Sequence, residues 1–328
     1  MACTAFSGTP LTLHSQRLLF AGQPVLFRTN ATKIATYASD FFSPDKLVEP
    51  PSEEIRATVT VHVRDSDEGC ESAPWFRARG QFAFARFTYG ESFWFNLRTR
   101  EVYGACSSAP SNDAWHWRVH IFPALLGILA PAIQVSPVHA ACLVHRGRGV
   151  LLAGPSGVGK STLAIAMAKR GYELLSDDWT YLSATDEITA WGIPVPVKLL
   201  PDASHLFPEL LMYRAERSLN NEVAYEVMPD ECFGVSRRFH CSVASVVLLE
   251  RSTLPGCWVT SIGRKEALDH LVKEMEPLTG SLAAAYESQI NLIRGLKDIS
   301  CFRLAFNSEP NNVSEELDDA LVALSSND

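Results

Sequence analysis

The chain has 328 residues, 47% hydrophobic and 20% charged, which is typical of a globular protein long enough for two domains. Its net charge of −8 argues against a nucleic-acid partner, because such proteins usually present a basic face. The 8 cysteines include no Cys-x-x-Cys pair, which favours reduced thiols over disulfides or a zinc site. The N-terminus lacks a basic start followed by an apolar core, so we expect a cytoplasmic protein.

Residues 1–112 predict a strand-rich α+β domain. Segments 57–64 and 82–87 alternate between apolar and polar residues with a period of two, and Gly, Asn, Asp and Ser separate them from further strand-like runs. This pattern indicates an antiparallel meander. No cluster of acid, base and nucleophile stands out here, so we expect this domain to recognise an acceptor or to pack against the second domain. The boundary is predicted at residues 112/113, within the turn-forming stretch 109–113.

The second predicted domain, residues 113–328, begins with a helix over 115–130 that is bent or started near Pro123. The apolar part of this helix, residues 121–133, is shorter than the ~20 residues needed to span a bilayer. We therefore expect a buried core helix and no membrane partner.

A complete Walker A phosphate-binding loop (P-loop) follows at residues 154–161, with the sequence Gly-Pro-Ser-Gly-Val-Gly-Lys-Ser. A short apolar strand (150–153) precedes it and a helix (161–170) follows, so the helix dipole would face the phosphates. Lys160 would reach the β/γ oxygens, where it is catalytic, and the Ser161 hydroxyl would hold Mg²⁺. The predicted ATP-binding residues are Gly154, Pro155, Ser156, Gly157, Val158, Gly159, Lys160, Ser161 and Thr162.

Two acids, Asp177 and Asp178, stand at the carboxyl end of a predicted strand over 172–176, where ligands bind in open α/β sheets. One carboxylate can hold Mg²⁺ and the other can accept a proton from an attacking hydroxyl. Adjacent strand residues point to opposite faces, so both acids can serve only if the strand has ended there. The alternative is one catalytic Asp beside a helix cap or turn former, and both interpretations stay open.

Further α/β elements follow the acids: strands over 243–249 and 301–306, and helices over 265–276, 282–296 and 313–324. Residues 200–240 read as a long irregular insertion, which suggests a lid or substrate loop. Arg237 and Arg238 at its end could neutralise transferred-phosphate charge. The alternative, a solvated turn pair, is somewhat favoured.

His139, the phosphate-binding loop, Arg170-Gly171 and Asp177-Asp178 together resemble the catalytic domain of HPr kinase/phosphorylase and its shorter relatives, over residues 138–182. The resemblance implies an α/β P-loop kinase domain of the HPr-kinase/phosphoenolpyruvate-carboxykinase type. It places His139 near the transferred phosphoryl group, assisting the acids. Asp177 and Asp178 would divide the metal and base roles, and the resemblance does not assign either role to one of them.

The chain also departs from that family. Thr162 stands where the family usually has Glu, and residues 188–198 keep only a Gly-Ile of a Glu-x-Arg-Gly-Leu-Gly-Ile-type stretch. No counterpart of the later basic loop used for phosphorolysis is found. These departures argue against recognition of HPr itself and against the reverse reaction.

We therefore expect an ATP- and Mg²⁺-dependent kinase that phosphorylates a serine-type hydroxyl on a peptide, protein or small molecule. Catalysis would use His139, Asp177, Asp178 and Lys160, and the metal would bind Ser161 and the two aspartates. A homo-oligomer is left open. The alternative is a nucleotide-gated binding or regulatory protein with slow ATPase activity.

Overall fold

A computed structural model describes residues 13–45, 54–64, 73–184, 187–217 and 222–325, with side chains to residue 322. Cys3 and Cys70 lie outside these ranges. The chain divides between Ile133 and Gln134 into two compact units. The division lies 21 residues beyond the predicted 112/113 boundary, and the packing of the helix that precedes it, given below, explains the difference.

In the described part of the N-terminal unit, one mixed sheet has the strand order β1-β2-β3-β7-β6-β5-β4. A helix, α1 (Thr32–Phe42), lies between the second and third strands in sequence. The strands are β1 (His14–Phe20), β2 (Gln23–Thr29), β3 (Ala57–Arg64), β4 (Trp75–Arg79), β5 (Phe82–Arg86), β6 (Ser92–Asn96) and β7 (Glu101–Ser107).

The predicted antiparallel meander describes only β4 to β7. β3 pairs in parallel with both β2 and β7, so as a description of the whole domain the prediction was wrong. The physical reason is that α1 intervenes between β2 and β3, and a helical crossover returns the chain in the same direction. Local alternation identifies a strand but not its partner.

The predicted helix near residues 115–130 is one continuous helical stretch with a π turn. It comprises α2 (Ala114–His116), the π turn Trp117–Ile121, α3 (Phe122–Leu129) and a 3₁₀ turn, Ala130–Ile133. Pro123 lies in the first turn of α3, where a missing N–H is tolerated. The Phe122 ring packs 5.2 Å from that of Phe41 and 5.3 Å from that of Phe42 in α1. The helix therefore belongs to the N-terminal core, which moves the boundary.

By length and composition alone, the stretch Ala114–Ile133 is apolar enough to cross a membrane. Half of it is buried within the structure, and core helices of soluble proteins meet the same criterion. Trp117, Ile121, Leu125 and Leu129 are fully buried. This burial agrees with a core helix.

The C-terminal unit is built on a second mixed sheet, with a small sheet beside it. Its strands are β8 (Val135–His145), β9 (Arg148–Ala153), β10 (Glu173–Ser176), β11 (Trp179–Ala184), β12 (Ile188–Trp191), β13 (Val197–Leu199), β14 (Glu216–Arg217), β15 (Val223–Val227), β16 (His240–Arg251), β17 (Gly256–Ser261) and β18 (Ser300–Asn307). Its helices are α4 (Lys160–Lys169), α5 (Pro229–Phe233), α6 (Arg264–Lys273), α7 (Ala283–Arg294) and α8 (Pro310–Ser325).

Strand β9 occupies the middle of this sheet. β8 pairs antiparallel with one edge of β9, and β16 pairs in parallel with the other. Val150 and Leu152 of β9 pack in a core shared with α4 and α8, whereas Leu151 and Ala153 pack in a core shared with α6 and α7. Helices on both faces explain why this strand is a continuous apolar run.

The turn between β8 and β9 carries Arg146 and Gly147, whose φ angles are 50° and 79°. This conformation is the one a tight two-residue hairpin needs. His145 and Arg148 face each other across the strand pair. Arg146 and Arg148 therefore belong to a hairpin turn.

Segment 200–240 is more ordered than predicted. Its described parts form two 3₁₀ turns (Pro201–His205 and Pro208–Met212) as well as β14, β15 and α5. Phe207, Leu210 and Val227 are buried in the core that also contains α4. The prediction of a long irregular insertion was wrong, because scattered apolar residues without periodicity still anchor short elements to the core.

Candidate functional site

The glycine-rich loop (residues 154–161) connects β9 to α4. Gly154, Gly157 and Gly159 have φ angles of +154°, +76° and +110°, which side chains other than hydrogen rarely allow. A Cβ atom on Gly154 would also lie 2.7 Å from the Leu249 carbonyl oxygen of β16. These glycines let the loop turn from β9 into the first turn of α4. The free backbone N–H groups and the dipole of that helix end favour an anion.

The remaining loop residues hold that shape or border it. Val158 is buried in the core, and its N–H donates to the Pro155 carbonyl at 3.2 Å. Pro155 and Ser156 are exposed at the tip, and Thr162 is half-buried in α4.

Lys160 is buried, with an exposed fraction of 6%. Its Nζ donates to the carbonyl oxygens of Gly154 at 2.9 Å and of Pro155 at 3.3 Å. Burial lowers the pKa of this ammonium group, while the negative charges of Asp178 and Glu274 oppose that effect. A cation is therefore held inside the curve of the loop.

The acid pair, Asp177 and Asp178, lies in the bend between β10 and β11. The strand has ended, so the two side chains are not constrained to opposite faces. The Thr180 hydroxyl donates to the Ala140 carbonyl at 2.8 Å and lies 2.6 Å from the Ser176 hydroxyl, which anchors the bend to β8. These contacts hold the bend that carries both acids against β8.

Asp177 is buried, and its Oδ2 accepts a hydrogen bond from the Lys198 N–H at 3.3 Å. Its backbone carbonyl accepts one from the Ser161 hydroxyl, also at 3.3 Å. Burial, and then the charge of Asp178, raise the pKa of Asp177 to about 7, against the opposing effects of backbone hydrogen bonds and Arg237. Burial and the charge of Asp178 disfavour the ionised form of Asp177, and a bound cation would stabilise that form.

Asp178, in contrast, keeps 53% of its side chain exposed and lies 3.0 Å (Oδ1) from Nε2 of His139. The other ring nitrogen of His139, Nδ1, lies 3.9 Å from Oε2 of Glu274. The ring also stacks on Trp179, with 5.3 Å between centroids. His139 is therefore held between two carboxylates, with Asp178 on the accessible side.

Glu274 was missed by sequence reasoning. It follows the last residue of α6, and His270 precedes it by four residues, a spacing that places both on one helix face. That spacing was the sequence signal that His270 and Glu274 could act at the same place. It did not reveal that the helix end approaches His139, which lies more than a hundred residues earlier.

The two arginines near the end of segment 200–240 have different surroundings. Arg237 donates to the carbonyl oxygens of Ile193 at 2.9 Å and Val195 at 3.3 Å, and its charge lowers the pKa of Asp177. Arg238 lies 4.0 Å from the Glu173 carboxylate on an exposed surface. Arg237 therefore acts on Asp177 through its charge, and Arg238 matches the alternative of a solvated residue.

Over the described ranges, no group of three or more His, Cys, Asp or Glu side chains is arranged to hold a metal ion. The predicted set of Ser161, Asp177 and Asp178 would supply a hydroxyl and two carboxylates. Mg²⁺ typically binds one or two carboxylates and completes its shell with water and phosphate oxygens. The two adjacent carboxylates and the raised pKa of Asp177 fit such an ion.

The fold and the site together define a mixed α/β protein with a glycine-rich loop and an acid pair at one end of its second sheet. The model of the HPr Serine kinase C-terminal domain matches residues 129–198. HPr kinase/phosphorylase proteins of Streptococcus pneumoniae, strains Hungary19A-6 and ATCC BAA-255 / R6, are each 43% identical over 60 residues. Over this stretch, the chain is similar to HPr kinases.

These matches are partial. The chain spans about a fifth of the length of the curated relatives it matches, 19%, and the match covers 18% of the chain. The solved structure of the Hpr(Ser) kinase/phosphatase from Coxiella burnetii aligns with 58% of this chain and 99% of its own, at 14% identity and a TM-score of 0.31. The similarity to kinases therefore rests on the sequence around the site.

Proposed function

We propose that the chain is an ATP-dependent kinase that transfers the γ-phosphoryl group of Mg-ATP to a serine-type hydroxyl. The carrying observation is the 3.0 Å pair between His139 and the accessible Asp178, beside the glycine-rich loop with Lys160 and Ser161. A phosphate-binding loop alone serves many functions. An accessible base next to it is what transfer to a hydroxyl requires.

The geometry supports a division of roles between the two acids. Asp178 faces solvent and contacts an imidazole, so it would accept the proton of the attacking hydroxyl, and His139 would orient it. Asp177 is buried beside Ser161, so these two residues would hold Mg²⁺. The metal would supply neutralisation of phosphate charge, and Lys160 would add a second positive charge at the phosphates.

The acceptor is a peptide, a protein or a small molecule with a free hydroxyl, and a cytoplasmic location fits the reduced thiols. Cys106, Cys142, Cys232, Cys241, Cys257 and Cys301 are free in the structure. The relatives are named HPr kinase/phosphorylase. For this chain, HPr as acceptor and phosphorolysis are not part of the proposal, because the downstream stretch of residues 188–198 differs from the family pattern.

The test is phosphate accounting with γ-labelled ATP in cell extract. We expect label on an acceptor, loss of ATP binding or turnover in Lys160→Ala, and retained binding without transfer in Asp178→Asn. Release of label only as inorganic phosphate would favour the alternative, a nucleotide-gated protein with slow ATPase activity. Unchanged ATP consumption in both variants would contradict both functions.

A further inference from the structure

A cavity of about 400 Å³ lies against the glycine-rich loop, within the C-terminal unit. Loop residues 155–158, the end of β16 (residues 248–251), His270 and Arg303 line it. Its volume falls in the range of small-molecule sites, which is roughly 300–1,000 Å³. It can therefore hold a chemical group much larger than a phosphate.

The cavity and the acid pair lie at opposite edges of β9. His139 is on β8 and the acid pair lies between β10 and β11, all on one side of that strand, whereas β16 pairs with its other edge. A triphosphate whose terminal group meets Asp178 would cross the glycine-rich loop with its remaining part directed towards β16. The group that reaches the cavity is then the nucleoside. An acceptor hydroxyl, in contrast, must approach from the side of Asp178.

The side chains around the cavity suit a nucleoside. Leu248, Leu249 and Val158 border it, and the imidazole ring of His270 lines it. An imidazole ring can stack on the face of a base.

Arg251 joins the cavity to the loop. Its guanidinium lies over the Phe306 ring at 4.5 Å, and one terminal nitrogen is 3.2 Å from where a Cβ of Gly159 would stand. Arg303, by comparison, is engaged by Glu266 at 2.5 Å and by Glu250 at 3.4 Å. Arg251 is thus the guanidinium that lies between the cavity and the glycine-rich loop.

We propose that this cavity is the nucleoside subsite, with His270 at the base and Arg251 at the junction of ribose and phosphates. The inference rests on the proposed function, since it assumes a nucleotide on the glycine-rich loop. It identifies the surface that distinguishes a nucleoside triphosphate from bare polyphosphate.

Photo-cross-linking tests the location directly on the wild-type protein. Mg²⁺ and 8-azido-ATP, whose reactive group is on the base, are irradiated with the full chain, and the labelled peptide is found by mass spectrometry. We expect label, displaced by excess ATP, within residues 248–251 or 264–273. Label within residues 172–184 or 195–240 would overturn the proposal.

Binding measurements test the role of His270 in the subsite. His270→Trp, which fills the cavity, should weaken Mg-ATP binding at least about tenfold and leave tripolyphosphate binding unchanged. Lys265→Trp, on the exposed side of the same helix, should change neither affinity. His270→Phe keeps the ring volume and should show the same selective loss, smaller in size, if the Trp variant does not fold. Equal losses for both ligands, or none, would contradict the subsite.

Failure of the subsite differs from failure of the proposed function. A wild-type protein that binds neither ATP nor tripolyphosphate contradicts the nucleotide site itself. One that binds the two equally well contradicts only the nucleoside subsite.

Discussion

Each unit contains a carboxylate–imidazole pair, and the two pairs differ mainly in exposure. In the N-terminal unit, His116 Nε2 and Glu91 Oε1 lie 2.8 Å apart, without hydrogen-bond alignment, and their side chains are only 5% and 0% exposed. In the C-terminal unit, the His139–Asp178 pair has exposed fractions of 20% and 53%. The same two functional groups thus occur in a closed and in an open environment.

The difference shows what makes such a pair chemically useful. Glu91 also accepts a hydrogen bond from the Tyr89 N–H at 3.1 Å, so its carboxylate stabilises the local backbone. Asp178 instead lies at a bend between strands, close to Lys160 and the glycine-rich loop. The closed pair holds elements together, and the open pair can reach a substrate.

The largest expected effect comes from a change in the open pair, His139–Asp178. His139→Ala should lower the transfer rate by about 10²–10⁴-fold, the usual contribution of acid–base assistance. The melting temperature should change little, because the ring is partly exposed. Turnover and thermal unfolding are measured on the same preparation. A large loss of stability with normal turnover would reverse the assignment of the two pairs.

The matched change in the closed pair is His116→Ala. It leaves Glu91 buried without its partner, which should reduce the free energy of unfolding by about 3 kcal/mol. Denaturant unfolding measures this loss, and turnover per folded molecule should stay near the wild-type value. If turnover falls while stability is kept, the N-terminal unit takes part in the chemistry.

Much of the C-terminal unit could be predicted from local sequence patterns. The strand, loop and helix around residues 150–170 follow from a contiguous pattern of apolar residues, glycines and Lys160-Ser161, and the structure has them within about two residues of the prediction. Pairing between distant strands did not follow, because a strand's periodicity reports its buried face and not its neighbour. The parallel β3 in the N-terminal sheet is the clearest example.

The site shows the same limit. His139, Lys160 and the acid pair lie within one short stretch, where motif spacing could be read. Glu274 and His270 come from α6 and approach the site only through tertiary packing. Neither the burial of Asp177 nor the exposure of Asp178 could be read from two adjacent identical residues.

The third prediction concerns the support of His139. Glu274→Gln removes the charge beside Nδ1 of His139 and should lower kcat about tenfold with little change in the KM for ATP, since positioning affects the transfer step. Steady-state kinetics measure both constants. Glu276→Gln, an exposed change two residues later, is the control. A rise in KM at constant kcat would place Glu274 in nucleotide binding instead.

The smallest expected effect is a pH dependence of stability in the closed environment. Burial, and then the nearby His116, lower the pKa of His120, whose ring lies 5.3 Å from that of His116. The folded state therefore binds a proton less readily than the unfolded chain. This contribution to stability is complete above the ordinary histidine pKa of about 6.5 and is lost as the pH falls through the folded pKa. His120→Gln should consequently show a smaller drop in melting temperature than the wild type between pH 7 and pH 5. Parallel pH profiles for the two proteins would show that His120 titrates alike in both states, and the closed environment would then not extend beyond the His116–Glu91 pair.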